Sequence, residues 1–251
     1  MRSTPANKAW VATWLCALLL LIVSDCKSEE LLILTEDLPP LNYIENGQLV
    51  GPSVDIVKEI QNRIGSTEPI QVYPWARAYK IAMERENVVL FGTAHTPNRQ
   101  NLFKWVGPLA IKRDILVARK DAPFTIDTLE DAKQVGSLGT LRDDTRQEFL
   151  LENGFTNLQP VSDDKQNAQK LALGRIDLWA YKIPGMIKVC KLAGVDPDLF
   201  SEVLNLRQVE VSIAFSMKTS DSIVDRWRQA FETMQEDGTI EEIHNRWESE
   251  E

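Results

Sequence analysis

Cysteine and histidine are scarce in this sequence, which has three cysteines and two histidines among 251 residues. Three cysteines are too few for a disulfide framework or a cysteine-rich metal site. The two histidines, His95 and His244, are accompanied by no Gly-x-Ser-x-Gly, His-Glu-x-x-His or Walker-type glycine loop. We therefore expect no metal, no cofactor and no catalytic activity.

Basic residues are fewer than acidic residues in this sequence. The chain has 28 lysines and arginines against 37 aspartates and glutamates, which gives a formal net charge of −9. Such a surface repels the phosphates of nucleic acids and the headgroups of anionic lipids. We therefore expect no nucleic-acid partner, and an anionic ligand would need a local positive site against the field of the whole protein.

One long apolar run is present, over residues 9–23. Its length is typical of the core of a signal peptide and short for a membrane span. The small residues Cys26 and Ser28 follow, and cleavage after Ser28 makes residues 1–28 an export signal. An uncleaved anchor is one alternative, and lipidation of Cys26 is another, for which Asp25 stands where a small residue is usual. We expect the mature chain in the periplasm.

Short apolar segments alternate with amphipathic segments after this run, a pattern typical of α/β proteins. No low-complexity linker interrupts the pattern, which indicates two α/β units joined by strands. The predicted strands are 31–35, 70–73, 88–91, 115–118, 158–161, 177–181, 211–216 and one around Val135, and the predicted helices are 53–64, 76–85, 143–153, 163–173, 184–193, 220–236 and one from Thr239. Ligands bind at the carboxyl ends of strands in such sheets. The loops at these ends are 35–40, 92–99, 136–141 and 181–184.

Several short segments occur in the order and spacing of a known family. They are Pro39 to Leu41, Gly47 to Gly51, Thr96 to Arg99 followed by Phe103 to Pro108, Leu173 to Asp177, and Asp237 to Ile240 followed by Trp247. With these segments, residues 30–248 resemble the bacterial extracellular solute-binding proteins of family 3, the polar amino acid uptake group.

The resemblance implies a two-lobed periplasmic binding protein fold of type II. In this α/β fold each lobe is a mixed sheet flanked by helices, and two strands form the hinge. Lobe 1 is expected to be discontinuous, with residues 29–112 plus 209–251, and lobe 2 to hold residues 113–208. A ligand between the lobes would close the cleft, and a membrane partner can then recognise the closed state.

Arg99 is the first candidate ligand contact, because the matching arginine of the family grips the α-carboxylate of the ligand. A guanidinium is a planar fork that pairs with a carboxylate through two parallel hydrogen bonds. Arg99 also follows Thr96 and Pro97 at the expected start of a short helix, whose amide groups would favour an anion. A surface arginine is the alternative interpretation.

The resemblance implies further ligand contacts around Arg99. Gly92 and Thr93 would offer backbone or hydroxyl groups, Trp75 would form a wall of the pocket, and Thr140 of a Gly-Thr pair would bind the carboxylate. Each has a structural alternative: a hydroxyl bonded to its own backbone for Thr93, core packing for Trp75, and a plain turn for Thr140. Arg77 is either a second anion contact or a surface charge.

One position departs from the family pattern. Lys182, next to Tyr181, stands where amino-acid binders commonly carry an aspartate for the ammonium group of the ligand, and a lysine cannot accept a hydrogen bond from it. Glu36 or Asp37 could replace the missing acid. Lys182 and Arg99 together favour a carboxylate-rich or otherwise anionic ligand, and an exposed loop lysine is the alternative for Lys182.

These features predict a periplasmic solute-binding protein that captures a small polar or carboxylate-bearing ligand, an amino acid or related anion. It would act as a monomer and deliver its ligand to the ABC permease of the inner membrane. A freestanding sensor that reports to a membrane signalling protein would use the same cleft. A lyase on the same fold is the third hypothesis, and His95 is its only support.

Overall fold

The structure is a computed structural model that describes residues 31–248. The expected export signal and Cys26 lie outside the described residues. Within them the chain forms ten strands and eight helices. The strands are β1 (Leu32–Thr35), β2 (Tyr43–Glu45), β3 (Gln48–Val50), β4 (Ile70–Val72), β5 (Val88–His95), β6 (Phe103–Arg119), β7 (Leu138–Leu141), β8 (Leu158–Val161), β9 (Leu178–Ile183) and β10 (Phe200–Ser216). The helices are α1 (Pro52–Ile64), α2 (Trp75–Glu84), α3 (Leu129–Gln134), α4 (Thr145–Glu152), α5 (Asp164–Ala172), α6 (Met186–Leu192), α7 (Asp221–Glu236) and α8 (Thr239–Glu248).

Eight strands form one mixed sheet in the order β4-β1-β5-β10-β6-β9-β7-β8, and β2 pairs with β3 in a separate hairpin. The two central strands, β6 and β10, have 17 residues each and pair antiparallel from Phe103 opposite Ser216 to Arg119 opposite Phe200. At about 3.3 Å per residue, each of them spans about 55 Å. Both strands are therefore long enough to take part in the two halves of the sheet. In one half β5, β1 and β4 follow β10, and in the other half β9, β7 and β8 follow β6.

Apolar side chains pack into separate cores at these two ends. One core is built mainly by β1, β5, α1 and α7, and another by β9, α5 and α6. We call the first end lobe 1 (residues 31–112 and 209–248) and the second lobe 2 (residues 113–208). The sequence boundaries of the lobes stay a prediction. No helix of either lobe, over the part of the chain that is described, is long and apolar enough to cross a bilayer.

The predicted strand around Val135 is wrong. The preceding segment Leu129–Gln134 forms α3, Val135 ends this helix, and β7 begins at Leu138. The hydroxyl of Thr128 accepts from the backbone nitrogen of Asp131 at 3.2 Å, and the Asp131 carboxylate accepts from the backbone nitrogen of Thr128 at 2.9 Å. This capping box starts a helix where the apolar pattern had suggested an extended segment.

Candidate functional site

A cavity of about 440 Å³ lies where loops of the two lobes meet. This volume falls within the range of about 300–1,000 Å³ that is typical of small-molecule sites. The lining follows the carboxyl ends of β1 and β4 in lobe 1, and of β7, β8 and β9 in lobe 2. The lining residues are Glu36, Asp37, Leu38, Pro39, Ile44, Val72, Tyr73, Pro74, Trp75, Leu141, Ser162, Asp163, Asp164, Lys165, Gln166, Tyr181 and Val189.

Glu36 follows the end of β1 and lines the cavity with only 5% of its surface exposed. The side-chain nitrogen of Asn42 donates to the backbone oxygen of Glu36 at 3.0 Å and to the hydroxyl of Thr35 at 2.9 Å, which fixes the loop. No group of residues 31–248 hydrogen-bonds the Glu36 carboxylate. Burial raises the pKa of Glu36 to about 8, and the negative charge of Asp144 adds to this shift. A buried carboxyl with unmet bonding capacity therefore borders the cavity.

A buried ion network lies beneath the cavity in lobe 2. The fully buried guanidinium of Arg146 donates to Asp144 at 2.5 Å and to Asp164 at 3.0 Å, and Trp179 Nε1 donates to Asp164 at 2.9 Å. Burial alone would raise the pKa of Asp144, but Arg146 and Lys112 hold it well below its usual range. Since each charge of this network has a partner, it fixes the floor of the cavity rather than attracting a ligand.

Arg99 is 1% exposed and does not line the cavity. Its guanidinium lies over the rings of Trp75 and Tyr79, at 5.0 Å and 4.5 Å from their centroids. Its Nη2 atom donates to the Glu148 carboxylate at 2.5 Å and to the backbone oxygen of Asp143 at 3.1 Å, both in lobe 2. The Nε and Nη1 atoms of Arg99 are buried without a partner among the described residues. Arg99 therefore joins the lobes behind Trp75 and keeps two donors unused.

The prediction that Arg99 stands at the start of a short helix is wrong. β5 continues to His95, and the next residues form turns, in which the backbone nitrogen of Arg99 donates to the oxygen of Thr96 at 2.9 Å. Pro97 therefore opens a turn rather than a helix. For this reason no helix terminus contributes amide groups to anion binding at this position.

Lys182 is completely buried and does not line the cavity. Its ammonium nitrogen donates to the backbone oxygen of Pro39, across the cleft in lobe 1. Burial, together with the positive charges of Arg146 and Lys112, lowers the pKa of Lys182 to about 7. The exposed-loop alternative for Lys182 does not hold, and the structure gives this lysine a protein partner between the lobes.

The other candidate contacts divide between the cavity and its surroundings. Trp75 and Tyr181 line the cavity, as Glu36 does. The hydroxyl of Thr93 donates to the backbone oxygen of Leu90 at 2.9 Å, as the structural alternative for this residue expected. Their roles as ligand contacts stay predictions.

Three further candidates also lie outside the lining. The buried Thr140 hydroxyl has no partner among the described residues. Gly92 has a φ of 80°, and a side chain there would approach the Asn42 amide to 2.8 Å, so the position requires glycine. Arg77 is exposed and lies over the ring of Tyr73, 4.2 Å from its centroid. Their roles as ligand contacts also stay predictions.

The sequence interpretation missed the lobe 2 wall of the cavity. This wall is the loop after β8 and the first turn of α5, with Ser162, Asp163, Asp164, Lys165 and Gln166. The sequence signal was present, since the predicted helix 163–173 directly follows the predicted strand 158–161, and strand-to-helix loops are where ligands bind in such sheets.

Neither a metal centre nor a catalytic constellation emerges from the described part of the chain. Residues 31–248 hold no group of three or more metal-binding side chains. The His95 ring stacks on Trp105 with the ring centroids 4.2 Å apart, and His95 does not line the cavity. The acid–base chemistry of a lyase thus has no histidine at this site.

Comparison with known proteins agrees with the geometry. The family described as bacterial extracellular solute-binding proteins, family 3, matches residues 31–250. The L-cystine-binding protein TcyJ of Escherichia coli (strain K12) is 22% identical over 215 residues, which cover 83% of this chain and 78% of TcyJ. The arginine-binding extracellular protein ArtP of Bacillus subtilis (strain 168) is 23% identical over 218 residues, which cover 84% of this chain and 82% of ArtP.

Among solved structures, a histidine kinase sensor domain with similarity to periplasmic binding proteins superimposes with a TM-score of 0.78 at 20% sequence identity. The match covers 86% of this chain and 95% of that domain. The expected fold, a two-lobed periplasmic binding protein of type II, is thereby confirmed. Since the family match also spans most of the sequence, the protein belongs to the bacterial extracellular solute-binding proteins of family 3.

Proposed function

We propose that the protein binds an α-amino acid in the cavity between its lobes and holds the ammonium group of the ligand against Glu36. The observation that carries this proposal is the Glu36 carboxylate, which borders the cavity, is buried, and has no hydrogen-bond partner among residues 31–248. A bound ammonium group would supply the missing donors and neutralise the charge. In this proposal Glu36 binds the ammonium group in place of the aspartate that amino-acid binders commonly carry at the position of Lys182.

The charges around the cavity support an ammonium-bearing ligand over the carboxylate-rich anion expected from the sequence. Four carboxylates line the cavity, against the single ammonium group of Lys165. Arg99 and Lys182, on which the anionic expectation rested, do not line it and donate to protein oxygens. A dicarboxylate in this cavity would meet like charges and few free donors.

A ligand carboxylate nevertheless has candidate partners at the edge of the site. Arg99 keeps two buried donors unused, and the Thr140 hydroxyl is also buried without a partner. These unused donors support an amino acid over a simple amine, because its carboxylate would accept from them. The names of TcyJ and ArtP, which bind L-cystine and arginine, support the same ligand class.

The proposed role is that of a monomeric periplasmic receptor that hands its ligand to an ABC permease and has no catalytic activity of its own. The expected export signal, with lipidation of Cys26 as its variant, belongs to this proposal. The match to a histidine kinase sensor domain favours a second candidate role, in which the closed form reports to a membrane signalling protein. Ligand-dependent uptake in cells that lack the gene would decide between the two.

The proposal is tested by thermal shift with a panel of L-amino acids, their N-acetyl derivatives and succinate. A ligand at about 100 times its Kd stabilises the fold by about 2.7 kcal/mol, which raises Tm by roughly 5–10 °C for a protein of this size. We expect at least one amino acid to give such a shift and its N-acetyl derivative, which has no ammonium group, to give none. A shift with succinate alone would restore the anionic interpretation.

Affinity for the amino acid should rise with pH between 6 and 8. The Glu36 carboxyl has a pKa of about 8, so it is mostly protonated below that pH and must lose a proton when an ammonium group binds. Kd should therefore increase by about tenfold for each pH unit below 8. Calorimetry in buffers of different ionisation enthalpy measures the proton released, and a Kd that stays constant from pH 6 to 8 would rule out Glu36 as the acceptor.

A further inference from the structure

An ion pair between the lobes lines the outer, partly exposed side of the cavity. Lys165, in the first turn of α5 in lobe 2, places its Nζ atom 2.7 Å from the Asp37 carboxylate of lobe 1 and 3.5 Å from that of Asp163. All three residues line the cavity. The side chains of Lys165 and Asp37 are 32% and 29% exposed, whereas Glu36 is 5% exposed. The cavity therefore has an inner acid, Glu36, without a hydrogen-bond partner. It also has two outer acids, Asp37 and Asp163, which share the Lys165 ammonium group.

The two outer acids, Asp37 and Asp163, differ from Glu36 in how readily they can bind a cation of the ligand. Glu36 is more than nine-tenths buried beside the cavity, and although Arg146 and Lys182 act on its charge from within the protein, no described residue hydrogen-bonds its carboxylate, so a ligand cation has no hydrogen bond to displace there. At Asp37 and Asp163 a second ligand cation would have to displace the Lys165 ammonium group. The displaced ammonium would stay close on the same helical turn and repel the newcomer.

We propose that Lys165 is a specificity-determining residue, which fills an outer cation subsite formed by Asp37 and Asp163 and selects against ligands with a second positive charge. The proposal rests on the proposed function, since it assumes that the first ammonium group binds at Glu36. It predicts that the protein prefers amino acids with neutral side chains, and that removal of the Lys165 charge turns the same cavity into a site for basic amino acids.

A second ion pair between the lobes provides a matched control. Lys188 of α6 lies 2.6 Å from the Glu45 carboxylate of β2, and its side chain is 32% exposed, as that of Lys165 is. Neither Lys188 nor Glu45 lines the cavity. Loss of either lysine removes one contact that holds the lobes together, but only loss of Lys165 vacates the outer subsite.

The experiment compares ligand pairs that differ in a single charge, L-arginine with L-citrulline and L-lysine with L-norleucine. Kd is measured by calorimetry for the wild type, Lys165→Met, Lys165→Arg and Lys188→Met. The wild type should bind the neutral member of a pair at least as tightly as the cationic one. Lys165→Met should shift this preference at least tenfold toward the cationic member, whereas Lys165→Arg and Lys188→Met should leave it unchanged.

The possible failures point to different conclusions. If the ligands bind and Lys165→Met leaves the preference unchanged, or Lys188→Met changes it equally, the role of Lys165 is overturned while amino acid binding stands. If the folded wild type and all variants bind no member of either pair, and no amino acid of the thermal-shift panel, the proposed function fails and the role of Lys165 fails with it. As a further check, Asp37→Asn in the Lys165→Met background should reverse the gain for the cationic ligands.

Discussion

Glu36→Gln is expected to abolish amino acid binding while making the protein more stable at neutral pH. Glutamine has the shape of glutamate and keeps one acceptor oxygen, but it carries no charge and adds two donors that face the ammonium group. Removal of one partner of a desolvated charged pair weakens binding by about 2–5 kcal/mol, or roughly 30-fold to several thousand-fold in Kd. Calorimetry at pH 8, where about half of the wild-type carboxyl is ionised before ligand binds, measures this loss.

The stability gain follows from the raised pKa of Glu36. An unfolded glutamate ionises near pH 4.5 and the folded one near pH 8, so the wild type loses stability as pH rises between these values. At pH 7 the difference amounts to about 3 kcal/mol, at 1.36 kcal/mol per pKa unit. The Glu36→Gln variant does not lose this stability, because glutamine does not ionise. The Tm of the variant at pH 7 should therefore be several degrees higher than that of the wild type.

Comparison at acid pH is the control for this effect. Near pH 4 both the folded and the unfolded wild-type chains carry a protonated Glu36, so the two proteins should unfold with similar free energy. Denaturation curves at pH 4 and pH 7 measure the difference. An equal gain at both values of pH would mean that the substitution improves packing, and an unaltered ligand affinity would remove Glu36 from the binding site.

The fold was largely predictable because its helices and strands carry local signals. The β1, α1, α5 and α7 segments were predicted to within a residue or two, since apolar periodicity, caps and glycine stops mark their ends. The strand signals at 115–118 and 211–216 found only part of β6 and β10. In the rest of these strands, half-buried and exposed residues interrupt the buried ones without regular alternation, and only their mutual pairing defines their length.

The site was less predictable, because its properties depend on contacts across the cleft. Arg99 and Lys182 looked like free cations in the sequence, but Glu148 and Pro39 of the opposite lobes meet them. Glu36 was only one of two acids considered, and nothing in its local sequence shows that it is the unpaired one. Which charged side chain is left without a protein partner, and so can bind a ligand, depends on distances between segments that are far apart in the chain. A single sequence does not contain these distances.

Arg146→Leu is expected to give the largest loss of stability among charge substitutions in lobe 2. Arg146 is fully buried between Asp144 and Asp164, and its removal leaves two buried carboxylates without the guanidinium that bonds both of them. Breaking a buried pair in this way costs about 3–5 kcal/mol. Urea denaturation at pH 7 measures this loss, which corresponds to a fall in Tm of roughly 6–20 °C.

Two further variants separate the network from a simple loss of arginine. Arg228→Leu removes the exposed ion pair with Asp225 on α7, and a surface pair of this kind contributes about 0–1 kcal/mol. The triple variant Arg146→Leu with Asp144→Asn and Asp164→Asn removes all three charges. Asparagine can still cap α4 and accept from Trp179, so the triple variant should regain much of the stability that Arg146→Leu loses. If the triple variant is less stable than Arg146→Leu alone, unpaired buried charge is not the cause of the loss.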